Sequence, residues 1–409
     1  MFESDLSALE RRPGWSAGEV ILRQSDAGTN WIAREDCISR LLPGSSLVQD
    51  RQRLLNEMSA YSREILAQAR ILGPVAVAAA DASKAESWLL HPVFVCGHHR
   101  SGTTLLQQLL DGHSQLLVLP SEATYLSFFR DAARRDPASR SVDAFLSEWI
   151  CRFIDPNQAP HFKLGRSDAA YNPYLAFARR ALGWVDALRH HHRFACLLAL
   201  AAAYRDVAAP RLSPRAWVEK TPLNEHRLPE LSSFGSARFI HMVRHPAASF
   251  ASLKERYRTA GIDFDPARHL RSIGRSLEAA CRNRERHSRY LVVRYEDLTR
   301  VPAREIERVC RFLGLAAEEG LLIPSVAGRA IGSNSSYAVG LPGKIHEPRS
   351  VSPTPAEARR IGLFAGRPAR ELGYDIEVPD LLRRCGARLQ QLPSRSIQWL
   401  RARLLRGPR

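Results

Sequence analysis

Lysine is scarce in this chain. Of 59 basic residues only Lys84, Lys163, Lys220, Lys254 and Lys344 are lysines, and arginine supplies the rest. Cysteine is sparse and scattered: Cys37, Cys96, Cys151, Cys196, Cys281, Cys310 and Cys385 form no CxxC pair, and their number is odd. That pattern matches neither a disulfide framework nor a zinc site, so the thiols read as reduced and mostly buried. No apolar run approaches the length needed to cross a bilayer. The densest, Phe194 to Tyr204 (FACLLALAAAY), predicts a buried helix. The first residues, MFESDLSALE, lack a basic stretch leading into an apolar core, which argues against a secretory signal. A soluble cytoplasmic protein is the resulting expectation. No internal repeat and no low-complexity tract stands out.

What is present is an ordinary globular composition with an unusual charge. The 409 residues are 45% apolar and 25% charged, which fits a folded protein and not a disordered or fibrous one. The length allows two or three domains, or one elaborated α/β domain. The net charge of +17 creates a field that attracts anions. Nucleic acid, anionic lipid, and a small phosphorylated or sulfated molecule are all candidates, and composition does not choose among them.

Hydrophobic patterning organises the chain in three parts. Residues 1–90 form a helical N-terminal extension, with a helix expected over Ser46 to Leu72 and a break at Gly73-Pro74. Short apolar strands then alternate with helices over residues 91–378. Strands are expected at Val93–Cys96, Leu116–Leu119, Ala216–Glu219, Arg238–Val243 and Leu291–Val293, with helices at Thr103–Asp111 and Pro302–Leu313, the latter ended by Gly314. This alternation predicts an α/β fold: a three-layer parallel sheet with a P-loop-containing nucleotide-binding core. Residues 379–409 carry many arginines, and the run from Leu381 on has no acids. They read as a solvated basic helix face or tail, with peripheral membrane contact as the second reading.

The most informative segment is VFVCGHHRSGTTLL, residues 93–106. Gly97 and Gly102 have the glycine spacing of a phosphate-binding loop, placed between a strand and a helix. Glycines let the backbone curl around an anion, and loop amides and a helix N-terminus point into the curl. The lysine of a nucleotide triphosphatase loop is missing, and Thr103 stands in its place. Arg100 lies inside the loop instead, a cation able to hold an anion without a metal. The strand Arg238–Val243 runs into Arg244, where a kinase or ATPase wants an Asp for magnesium. Arg256 lies one helical turn after Ser252, so two guanidinium groups and a hydroxyl could clamp a dianion.

These residues resemble the sulfotransferases that use 3′-phosphoadenylyl sulfate (PAPS), above all the group with bacterial and tyrosylprotein sulfotransferases, whose loop reads R-S-G-T-T. The resemblance covers about residues 92–375. It implies that Arg100, Ser101, Gly102, Thr103, Thr104 and Leu105 bind the 5′-phosphosulfate, and that Arg244 and Ser252 bind the 3′-phosphate, with Arg256 beside them. It implies that Glu122 is the catalytic base and that Lys220, with Arg100, stabilises the transferring sulfonate. Tyr295, in a Y-E-D-L segment, would contact the nucleotide. Lys344, in a loop rich in turn residues, would lie on the 3′-phosphate side. His99 is the alternative base. His190-His191-His192 reads as a solvated helix face, and no metal is expected. The acceptor stays open among small molecules, carbohydrate, lipid and peptide. Two other readings survive at this point: an ATP-dependent P-loop phosphotransferase, and a non-enzymatic basic anion-binding protein. Nucleic acid is not the expected partner.

Overall fold

A computed structural model of the chain describes residues 31–41, 48–132, 141–158, 161–331, 345 and 353–376. Lys344 and the basic segment 379–409 lie outside the described residues. The described residues group into two compact units. One is drawn from 1–97, 102–242 and 289–347, the other from 98–101, 243–288 and 348–409.

The first unit is built on a five-stranded sheet. Its strands are β1 (Pro92–Cys96), β2 (Leu116–Val118), β3 (Ala216–Lys220), β4 (Arg238–Val243) and β5 (Tyr290–Arg294), in the order β2-β3-β1-β4-β5. β1 pairs in parallel with β3 and with β4, and β2 pairs in parallel with β3. β1, β2 and β3 are buried throughout and β4 in all but its first residue, so they read as largely apolar runs; β5 is partly exposed. Alternation still sorts the side chains. Phe94, Leu117, Trp217 and Phe239 join one apolar cluster, while Val93, Val95, Val218, Ile240 and Met242 join the other. Each cluster seats one layer of helices, which gives the three layers.

The larger cluster is covered by α1 (Trp31–Arg40), α2 (Val48–Leu72), α3 (Ala79–Leu89), α6 (Val142–Ile154), α7 (Pro173–Ala187) and α8 (Ala195–Ala208). The run predicted as a buried helix is α8, and it is buried nearly throughout. α4 (Thr103–Leu110), α12 (Tyr295–Arg300) and α13 (Pro302–Leu313) cover the other face. α5 (Tyr125–Ala132) and α9 (Leu228–Leu231) are shorter. Gly314 takes a left-handed φ of 71° and closes α13, a conformation that costs glycine little.

The second unit contains α10 (Pro246–Thr259), α11 (Pro266–Arg286) and α14 (Pro355–Glu371). α11 and α14 touch so closely that a Cβ on Gly274 would run into the carbonyl of Phe364. Thr354 and Glu357 form a reciprocal capping box at the start of α14. Among the described residues no helix is long and apolar enough to cross a membrane.

Candidate active site

In a parallel sheet, ligand sites form beyond the carboxyl ends of the strands. Here β1 is the central strand. Its Val95 lies opposite Lys220 of β3 and its Cys96 opposite His241 of β4. The phosphate loop leaves from this end. The Gly97 carbonyl accepts from the Leu223 amide at 3.0 Å, and the Gly97 amide donates to Oε2 of Glu225 at 2.9 Å. Glu225 is almost fully buried. The start of the loop is therefore tied to the turn that follows β3.

The loop returns to the first unit at Gly102, whose φ is 96°. A Cβ there would run into the Tyr295 ring, and the left-handed backbone disfavours any side chain. Glycine is required twice over, and Tyr295, predicted to face the nucleotide, packs on the loop itself. Thr103 opens α4 and is buried, while Thr104 and Leu105 are half-buried.

The two residues expected to do the chemistry meet. Lys220 Nζ donates to Glu122 Oε1 at 2.7 Å across 98 residues of sequence. Lys220 is 5% exposed, and it faces Glu122, not its neighbour Glu219. Glu122 sits in the loop between β2 and α5, and its side chain keeps 33% of its exposure. Its backbone is held as well: Arg152 Nη1 donates to the Glu122 carbonyl at 2.7 Å. The same guanidinium reaches Thr124 Oγ1 at 3.0 Å and pairs with Glu148. Lys163 is buried nearby and donates to the Arg152 carbonyl at 2.9 Å and to Gln158 Oε1 at 3.1 Å. Burial pushes its ammonium down to about 8.

Glu219 and Glu225 are functional-looking residues that the sequence did not single out. Both are buried carboxylates flanking Lys220 in one short segment. The available signal was two acids beside a rare lysine at the end of an apolar strand.

The second unit gathers the arginines. Arg100 has a φ of 69°, the sparsely populated left-handed region, which non-glycine residues occupy at a cost of order 1–3 kcal/mol. Its Nε donates to Ser252 Oγ at 2.9 Å. Arg244 Nη1 donates to the Arg100 carbonyl at 3.1 Å. Arg100, Arg244 and Ser252, picked from segments 144 and 152 positions apart, thus form one contact set. Ser101 Oγ is buried with no hydrogen-bond partner among the described residues, as a hydroxyl awaiting a ligand would be. Arg256 lies exposed one turn beyond Ser252 on α10. His98 is buried, and its Nδ1 lies 2.9 Å from the His99 carbonyl; the His99 side chain is exposed.

His190 and His191 are not simply solvated. Their Nε2 atoms lie 2.9 and 3.0 Å from the same Oε1 of Glu86 on α3. Those hydrogen bonds hold the Glu86 carboxyl below the usual range.

The model of the sulfotransferase family matches residues 92–319, from the first strand past α13. The chain belongs to the sulfotransferase family. It is therefore a transferase, and of the three classes left open by the sequence the family selects the first. Solved structures resemble it at low identity. The sulfotransferase domain of the olefin synthase of Synechococcus PCC 7002 is 20% identical, with 70% of this chain and 96% of that one covered and a TM-score of 0.42. The sulfotransferase STF1 of Mycobacterium tuberculosis H37Rv is 16% identical, with coverages of 72% and 87% and a TM-score of 0.36. A retinol dehydratase, solved with androsterone and inactive cofactor PAP, is 16% identical, with coverages of 57% and 62% and a TM-score of 0.26. No curated protein matches the sulfotransferase significantly.

Proposed function

We propose that this sulfotransferase moves the sulfuryl group of PAPS to a hydroxyl or amine of its acceptor, with Glu122 as base and Lys220 as the principal cation. The observation that carries the reading is the Lys220–Glu122 contact of 2.7 Å at the carboxyl end of β3, beside the strand that launches the phosphate loop. PAPS supplies the sulfuryl group and the leaving phosphate. The buried, unpartnered hydroxyl of Ser101 and the Arg100–Arg244–Ser252 set fit a doubly anionic nucleotide. Loop amides with Ser101, Gly102, Thr103, Thr104 and Leu105 would take the 5′-phosphosulfate. Arg244, Ser252 and Arg256 would take the 3′-phosphate, since guanidinium forks suit phosphate oxygens. Tyr295 would border the nucleotide from its place on Gly102.

In the reaction, the acceptor oxygen or nitrogen bonds to sulfur as the bond from sulfur to the bridging phosphate oxygen breaks. Glu122 takes the acceptor's proton. Lys220 and Arg100 neutralise the charge that grows on the bridging oxygen. Before this, Lys220 shields Glu122, and an arriving anion would compete for the ammonium and free the carboxylate. No residue in the set calls for a metal: arginine stands where a magnesium-organising aspartate would be. The acceptor is a small molecule, carbohydrate, lipid or peptide, and the protein acts in the cytoplasm.

Glu122→Gln tests the scheme. It should abolish turnover while 3′-phosphoadenosine 5′-phosphate (PAP) still binds with its original affinity by calorimetry. Undiminished turnover would remove Glu122 as base and bring His99 forward.

A further inference from the structure

One buried titratable group has no part in this scheme. Glu219 lies on β3 beside Lys220, is 2% exposed, and is the focus of three donors. The Ala123 amide donates to Oε1 at 3.0 Å, the Thr221 hydroxyl donates to the same oxygen, and Asn224 Nδ2 donates to Oε2 at 3.1 Å. The Ala123 amide belongs to the peptide bond that leaves Glu122. Thr221, with its proton committed to Glu219, accepts from the Thr124 amide at 3.0 Å. Both peptide groups after Glu122 are therefore held by Glu219, one directly and one through Thr221. They need holding: Thr124 has a φ of 48°, a region that β-branched residues avoid.

We infer that Glu219 is a positioning residue, whose carboxylate clamps the turn 122–124 to the end of β3 and whose protonation loosens that clamp. The inference rests on Glu122 being the base. A carboxylate offers only acceptors, which is what three donors require. A protonated carboxyl loses its charge, gives up one acceptor position to its own O–H and is a weaker acceptor at the others, so all three donors are held less tightly. Burial pushes this carboxyl up to about 7; the Thr221 and Ala123 hydrogen bonds oppose the rise, Glu122 adds to it and Lys220 reduces it. Cys96 of β1 also faces the group, and burial holds its thiol well above the ordinary range, hence neutral. Near neutral pH, then, the charge of Glu219 changes while the Cys96 thiol stays neutral.

The chain has eight threonines, so full-length protein labelled with 15N-threonine gives a readable amide spectrum. Thr124→Ser and Thr221→Ser assign the two signals by their loss. The Thr124 and Thr221 amides should titrate together with a midpoint near 7. Glu219→Gln should remove that titration, and Glu122→Gln should keep it. Should Glu219→Gln not fold, Asn224→Ala decides: losing a donor to the carboxylate should move the midpoint upward. No titration between about pH 5.5 and 8.5, or one unaltered by the Glu219 and Asn224 variants, overturns the inference. In turnover, kcat should fall on the acid side with the same midpoint. Glu219→Gln should lower kcat about tenfold or more and erase that limb, with PAP affinity unchanged. A merely structural residue would leave the pH profile as it was. If Glu122→Gln stays active while the amides titrate, the base assignment fails and the clamp stands.

Discussion

The two units treat charge in opposite ways. In the first, Lys220, Glu219 and Glu225 are buried, and each is tied by hydrogen bonds to backbone or side chains of the same unit. In the second, Arg100 and Arg244 are half-buried, Arg256 is exposed, and the set is almost wholly cationic. Buried charges must be paired and fixed, since burial of an unpaired ion is costly. Such a region suits chemistry that needs geometry held before the substrate arrives. Half-exposed arginines keep their charge at low cost and suit the capture of a polyanion, an interaction that salt weakens. The proposed reaction uses both: one region that sets Glu122 against Lys220, and one that would recognise a charged donor.

Substitutions should therefore act on different constants in the two regions. Lys220→Ala should have the largest effect, lowering kcat by about 100- to 1,000-fold, the scale of losing one donor to developing charge. PAP affinity should change far less, and steady-state kinetics with a fixed acceptor would separate the two constants. Arg244→Ala should reverse the pattern. It should weaken PAP by about 10- to 100-fold, the worth of hydrogen bonds to a charged group, and leave AMP binding nearly unaltered. Titration calorimetry at two salt concentrations would check both the loss and its screening. A smaller effect, on folding, is expected at the loop. Gly102→Ala meets the Tyr295 ring in a left-handed backbone, and should destabilise by about 1–3 kcal/mol in denaturant unfolding. The smallest is an expected absence of effect: a chelator should leave PAP binding unaltered.

The sequence carried the local features well. The phosphate loop was legible because glycine spacing, the strand before it and the helix after it all lie within 14 residues, 93–106. Strands came out within one residue or so of their ends, since two-sided burial makes them bare apolar runs; β3 runs on to Lys220, one residue beyond its expected end. Arg244 and Ser252 were picked through the resemblance, by their order after a strong strand, and both contact Arg100. The Lys220–Glu122 pairing was not legible, because 98 residues separate the partners and only the parallel register brings the ends of β2 and β3 together. Glu219 was hidden for a related reason. Within β3 it reads as one acid in a short strand, and its meaning comes from the amide of Ala123, 96 residues away. His190 and His191 looked solvated because their partner Glu86 lies on α3, about a hundred residues earlier in the sequence.

The most direct test of the account is calorimetry of PAP and AMP side by side, in chelator, with the wild type and Arg244→Ala. The account predicts that the wild type binds PAP at least about tenfold more tightly than AMP, matching one charge-assisted contact to the extra phosphate, and that Arg244→Ala removes the preference. Equal affinity for the two nucleotides, or binding that appears only when magnesium is added, would contradict it.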